Sequence, residues 1–171
     1  MKVSNQLQLE LASRNESEEI NHLLNLAYRG KKGWTTENSL VDGDRSTVSD
    51  VVLAIESSIF LVHKQVNKIV SCVCLKPKGR EIYIGSFAVH PDYQNCGLGD
   101  SVLNEAEHYA LNKLNAKTFI MDVLSERKEL IAYYERRGYQ CVGDSKEYPL
   151  HLNVGIPKKV DLSIIQMCKN V

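Results

Sequence analysis

Between Glu81 and Leu103 an alternating apolar run, a proline stop, a turn with two glycines and a helical pattern follow one another. Few folds accommodate that succession. Ile82, Ile84, Ser86 and Ala88 fall on one face and Tyr83, Gly85, Phe87 and Val89 on the other, which predicts a strand buried on at least one side. Pro91 lacks a backbone donor and biases His90 towards extended geometry, so the strand should end near Val89. Gln94-Asn95-Cys96-Gly97-Leu98-Gly99 then leads into Asp100 and a helix. The first turn of a helix leaves backbone N–H groups unpartnered at the positive end of the macrodipole, and glycine lets that backbone approach an anion closely. The stretch therefore predicts a phosphate site.

Two common phosphate motifs do not fit. No Gly-Lys-Ser or Gly-Lys-Thr follows the turn, and the third glycine of the dinucleotide fingerprint is replaced by Val102. What remains is Gln-x-x-Gly-x-Gly after a strand ending Phe-Ala-Val and a His-Pro-Asp-Tyr turn. This resembles the pyrophosphate motif of the GNAT superfamily of N-acetyltransferases, which use acetyl-CoA. A second likeness lies further on: a short helix ends in Tyr134-x-x-x-Gly138-Tyr139, where many of these enzymes carry Tyr-x-x-x-Gly-Phe.

The 171 residues suit one domain spanning 1–171. Twenty-one basic and twenty-one acidic side chains cancel, so no global field favours nucleic acid or an anionic membrane. Apolar runs such as Val51 to Ile55 are too short to cross a bilayer, and Met1 to Arg14 lacks a signal-peptide core. The expected location is cytoplasmic. Five cysteines, at 72, 74, 96, 141 and 168, have no disulfide-framework spacing. Cys72 and Cys74 with nearby His63 invite a metal site, but buried free cysteine is far commoner, and no metal is expected.

In order, Leu7, Leu9 and Leu11 suggest a first strand, and Asn15 with Glu18 the start of a helix carrying Ile20, Leu23, Leu24, Ala27 and Tyr28 on one face. After an irregular loop, Val48, Val51, Val52 and Ile55 mark a second helix. Strands over 59–66 and 69–76 join at Asn67-Lys68. Beyond the glycine turn come a helix with Val102, Leu103, Ala106, Ala110 and Leu114, a strand over 117–124, a helix with Leu130, Ile131 and Tyr134, and closing strands including Val160, Leu162 and Ile164. The last strand could lie inside the sheet or pair across a homodimer. The order agrees with an α/β (α+β mixed sheet) acetyltransferase fold: a mixed, mostly antiparallel sheet flanked by helices. By the resemblance, its fourth and fifth strands splay apart to admit the cofactor.

The resemblance implies roles for several residues. Backbone groups of Phe87, Ala88 and Val89 would pair with the pantetheine arm, and those of Gln94, Asn95, Cys96, Gly97, Leu98, Gly99 and Asp100 would hold the pyrophosphate. Tyr134 aligns with the general acid for the departing thiolate. Arg127 stands where many relatives have Asn, and Tyr83 where protein-lysine members place a catalytic glutamate; Glu81, two residues earlier, is the candidate base. Substrate recognition falls to the loop between the first helices, with Trp34, Glu37 and Arg45, and to Tyr83. Glu37, Asp42, Asp44 and Asp50 against Arg45 give that segment a local charge of −3, which with an indole suits a cationic amine. Arg45 could equally fork a substrate carboxylate, and Asp44 or Ser46 could serve as a helix cap. The reading is acetyl transfer to a small-molecule amine; the alternatives are a protein or peptide acetyltransferase and a non-catalytic acyl-CoA sensor.

Overall fold

The structure, a computed structural model, describes residues 7–171. The elements run β1 (Glu10–Leu11), α1 (Ser17–Arg29), β2 (Val41–Asp42), α2 (Val48–Ser57), β3 (Ile59–Gln65), β4 (Lys68–Lys78), β5 (Glu81–Val89), α3 (Leu98–Leu114), β6 (Thr118–Leu124), α4 (Lys128–Glu135), β7 (Gln140–Glu147), β8 (Ile156–Pro157) and β9 (Ser163–Asn170). Seven strands form one sheet in the order β1-β3-β4-β5-β6-β9-β7, and β2 pairs with β8 in a separate ribbon. Among the described residues, β5 and β6 are the one parallel pair of the large sheet. This is the expected mixed, mostly antiparallel sheet, and β9 takes the internal position.

Helices cover both faces. Val102, Leu103 and Ala106 of α3 pack with Leu75, Ile82, Phe119 and Met121 on one side. Ile20, Leu23 and Leu24 of α1 and Val51 of α2 pack with Phe60, Val62, Cys72 and Cys74 on the other. The two cysteines are thus core side chains, and His63 instead contacts the Gln8 carbonyl through Nδ1 at 3.0 Å.

The central strand changes facing part-way. Cys74 is paired with Gly85 but Cys72 with Ala88, so Ser86 and Phe87 together oppose Val73, and Ser86 takes φ +46°. This is a β-bulge, which inserts one residue and reverses the subsequent alternation. Ile82 and Ile84 face the α3 core, as do Phe87 and Val89 after the bulge, whereas Ala88 joins the α1 core. The uninterrupted alternation expected through Ala88 therefore fails at Ser86, because a bulge leaves no mark on hydropathy.

Other boundaries shift locally. The ladder of β1 is confined to Glu10 and Leu11, while Leu7 and Leu9 pack on the α3-side core. A 3₁₀ turn precedes α1, with the Glu16 carboxylate accepting from the Ser13 N–H at 2.7 Å in place of a cap at Asn15. Thr47 caps α2: its hydroxyl accepts from the Asp50 N–H at 3.2 Å, and the Asp50 carboxylate accepts from the Thr47 N–H at 2.9 Å. Neither Asp44 nor Ser46 has that role. The β3–β4 turn is made by Val66 and Asn67, both at positive φ, and Val160 is fully exposed ahead of β9.

Candidate active site

The splay lies where the alternating pattern breaks. β5 and β6 pair through Glu81–Thr118, Ile82–Phe119 and Tyr83–Ile120 and then separate. The His90 N–H donates to the Val70 carbonyl at 2.8 Å, and Ala88 faces Cys72 across the ladder. Antiparallel alternation then turns the N–H and C=O groups of Phe87 and Val89 away from β4, towards the gap.

Beyond β5 the chain makes a 3₁₀ turn over Pro91–Tyr93 and enters α3 through Gly97, whose φ of +81° favours glycine. Among the described residues, the N–H groups of Gly97, Leu98, Gly99 and Asp100 donate to no backbone carbonyl. A Cβ on Gly99 would meet the Tyr133 hydroxyl at 3.4 Å and Val89 Cγ2 at 3.8 Å, so its bare Cα keeps the wall open. These features fit a cradle for a pyrophosphate. The Cys96 thiol is exposed and donates to the Tyr93 carbonyl at 3.0 Å.

Side chains brace this turn. The Asp100 carboxylate accepts from the Tyr133 hydroxyl at 2.7 Å and from Arg137, whose guanidinium lies 3.4 Å over the Tyr133 ring. Partial burial opposes ionisation of Asp100, but the bonds from Tyr133 and Arg137 outweigh it and lower the pKa below the usual carboxylate value. Gln94 uses its side chain as a clamp, donating from Nε2 to the Val89 carbonyl at 2.9 Å and accepting at Oε1 from the Trp34 N–H at 2.7 Å. Trp34 therefore flanks the anion turn, 5.7 Å from the Tyr133 ring, rather than the acceptor side expected for it.

Two cavities open from the splay. The smaller, of about 140 Å³, is lined by Val89, Gln94, Asn95, Gly99 and Trp34. The larger, of about 520 Å³, reaches Arg45, Tyr83, Asp122 and Tyr148. Tyr28, Phe87, Arg127, Leu130 and Tyr134 line both, and the cavities meet there. Tyr28 donates to the Phe87 carbonyl at 3.1 Å. Among the described residues the Tyr134 hydroxyl has no hydrogen-bond partner, although its side chain is buried. Burial pushes its pKa above the ordinary phenol value, with Tyr28 adding to the rise and Arg127 opposing it.

Three of the four acidic side chains of the loop, Glu37, Asp42 and Asp50, are spent internally. Glu37, 7% exposed, pairs with Arg29 at 3.1 Å and Arg127 at 3.3 Å, so the expected contact to a cationic amine is already taken. Arg127, placed by the start of α4, also donates to the Thr35 carbonyl at 3.3 Å and pins the loop to the site. Arg29 reaches the carbonyls of Gly43 and Val154. Asp42 pairs with Lys158 at 3.3 Å, and Asp50 completes the α2 cap. Glu81 lies in the closed part of the sheet opposite Thr118 and lines neither cavity. Besides Glu37 and Asp50, the larger cavity is lined by the carboxylate of Asp122, on β6, with a 3.4 Å bond from Gln166 Nε2. Its signal in sequence is a lone charge inside the apolar run TFIMDVL.

Residues 18–139 match the family model described as Acetyltransferase (GNAT) family. The chain belongs to that family. A curated relative is an uncharacterized N-acetyltransferase, YitH, of Bacillus subtilis (strain 168), 26% identical over 148 residues. The alignment takes in 86% of this chain but 46% of the relative, so the chain spans about half the length of the curated protein it matches. Among solved structures, PaiA N-acetyltransferase from Thermoplasma acidophilum in complex with coenzyme A has a TM-score of 0.75 at 13% identity, over 96% of this chain and 99% of that one. Spermidine N-acetyltransferase from Vibrio cholerae, in complex with CoA and spermine, has a TM-score of 0.70 at 16% identity, over 98% and 96%. These likenesses establish the GNAT fold. The GNAT family match ends at Tyr139, so the wall of the larger cavity formed by Tyr148, Pro149, Leu152 and Val154 lies beyond it.

Proposed function

We propose that this GNAT chain transfers an acetyl group from acetyl-CoA to a primary amine of a small molecule by direct attack on the thioester. The observation that carries the reading is the meeting of the two cavities at Tyr134, whose hydroxyl has no hydrogen-bond partner among the described residues. The free amides of the anion turn and the outward backbone of Phe87 and Val89 support binding of the pyrophosphate and pantetheine. The acceptor side is a concave space of about 520 Å³, within the range of small-molecule sites. That size favours a small acceptor over a protein chain.

In the reaction the amine nitrogen bonds to the thioester carbonyl carbon, the C–S bond then breaks, and the nitrogen loses one proton as the sulfur gains one. Tyr134 holds its proton at neutral pH and donates a hydrogen bond to sulfur as negative charge builds there. Arg127, which lines the same junction, opposes the rise in the Tyr134 pKa and so favours any phenolate character. Asp122, the carboxylate of the larger cavity committed to neither a cation nor a helix cap, draws the ammonium proton directly or through water.

The test is thiol release from acetyl-CoA with a panel of amines, for the parent and Tyr134→Phe. Loss of the donor should lower kcat about 100-fold or more while acetyl-CoA affinity changes less than about threefold. Because the Tyr134 pKa is raised, parent kcat should show no alkaline fall attributable to it below about pH 10. An equally active Tyr134→Phe would remove the acid assignment, and tight acetyl-CoA binding without turnover of any small amine would favour a protein acceptor or a sensor.

A further inference from the structure

We infer that the acceptor is an amino acid, its carboxylate held by Arg45 and its apolar side chain lying between α2 and the 149–154 segment. The inference rests on the acetyl-transfer reading and specifies its substrate.

The charge of the larger cavity is the first ground. Glu37 is shared between Arg29 and Arg127, so that buried group carries one positive charge in excess. Arg45 adds another. Its backbone N–H is tied to Asn25 Oδ1 at 2.7 Å, yet among the described residues its guanidinium pairs with no carboxylate. It rests 5.0 Å from the centroid of the Tyr28 ring on the cavity wall. A half-buried guanidinium with a fixed backbone and free donors matches a carboxylate in two-pronged geometry. The same excess opposes a polyamine, which would bring more positive charge to this wall.

Position supplies the second ground. The Tyr28 ring carries Arg45 over it, while its hydroxyl bonds the Phe87 carbonyl at the junction of the cavities. An anion on Arg45 thus sits one aromatic ring from the backbone expected to align the thioester. An amine a few carbons from the carboxylate, as in an amino acid, suits that arrangement better than one at the end of a long chain. The third ground is the rim. Leu53 of α2 and Leu152 are 62% and 59% exposed, and with Ala54 and Pro149 they line the same cavity. Exposed leucines from separate elements at one mouth suit an apolar side chain.

The experiment uses matched pairs that differ only in the carboxylate: phenylalanine against phenethylamine and leucine against isoamylamine, with spermidine as a third arm, in thiol release by the intact chain. The expected kcat/KM favours each amino acid over its amine by about 30-fold or more, the size of a lost charge-assisted pair. In Arg45→Gln the preference should fall to within about threefold, carried by KM on the amino acids, while calorimetric acetyl-CoA affinity and a cooperative thermal unfolding transition are kept. Those last two readings separate loss of the clamp from misfolding. Turnover of the bare amines or spermidine equal to that of the amino acids would overturn the inference and leave acetyl transfer to small amines standing. Binding of acetyl-CoA with no turnover in any arm would overturn both.

Discussion

The two cavities that meet at Tyr134 are built from different materials. The smaller one presents backbone: the free amides of Gly97 to Asp100, the bare Cα of Gly99 and the outward edge of Phe87 and Val89. The larger one presents side chains from five separate places in the chain, Arg45, Tyr83, Asp122, Tyr134 and Tyr148. A backbone cradle depends on a short contiguous stretch and reads only features common to its ligand. A side-chain wall depends on the whole fold and can differ between proteins that share the cradle. The contrast is compatible with chains at 13–16% identity sharing the fold, since a wall of scattered side chains can vary while the backbone beneath it is kept.

Substitutions on either side sharpen this division. The largest effect should come from Gly99→Val, whose branched side chain would meet the Tyr133 hydroxyl and Val89 and fill the smaller cavity. Loss of two charge-assisted amide contacts at about 1.5 kcal/mol each corresponds to about 100-fold weaker acetyl-CoA binding by calorimetry. Thermal stability should hardly change, because the space being filled is open. Unaltered affinity would mean that the turn is not the cofactor cradle.

Next comes Glu37→Ala on the acceptor side. Removing the shared carboxylate leaves two buried guanidinium groups without their anion and should destabilise folding by about 3 kcal/mol in urea titration. A change under about 1 kcal/mol would show that solvent reaches this group, and would weaken the argument for its excess positive charge.

A smaller, pH-dependent effect belongs to Asp100. Its folded-state pKa is lowered, so its contribution is present above the unfolded carboxylate value of about 3.9 and is lost as pH falls through the folded value. Asp100→Asn should therefore reduce stability at neutral pH and flatten the acid unfolding curve below about pH 4. Partial exposure limits the size of the effect, and a parallel acid curve would remove Asp100 from the bracing of the anion turn.

The smallest change concerns Ser71, whose buried hydroxyl has no hydrogen-bond partner among the described residues. Ser71→Ala removes an unsatisfied polar group and should leave stability within about 0.5 kcal/mol or raise it. A loss beyond about 1 kcal/mol would reveal a hydrogen bond that the hydroxyl makes.

The parts of the protein that were legible in its residues are those whose physics is local. The strand into the Gly97-x-Gly99 turn, the helix behind it and the left-handed residue Gly138, at φ +91°, each follow from a few neighbouring positions. The order of the elements of the large sheet and its helices held for the same reason, since alternation and helical spacing identify strands and helices without reference to their partners. The two-residue strands β2 and β8 carry no such pattern, and the splay was implied by the family resemblance. Tertiary structure decided the rest. The Ser86 bulge depends on register against β4, and the position of β9 between β6 and β7 depends on sheet pairing. The fate of the acidic loop turned on arginines far from it in sequence: Glu37 has the composition of a cation site, but Arg29 and Arg127 neutralise it from α1 and the start of α4. Likewise Glu81 is close to the site in sequence yet lies in the closed part of the sheet, whereas Asp122 is brought to the gap by β6. A side chain's charge is written in the sequence, but what that charge faces is set by packing, because pairing energy depends on distance and burial in the folded chain.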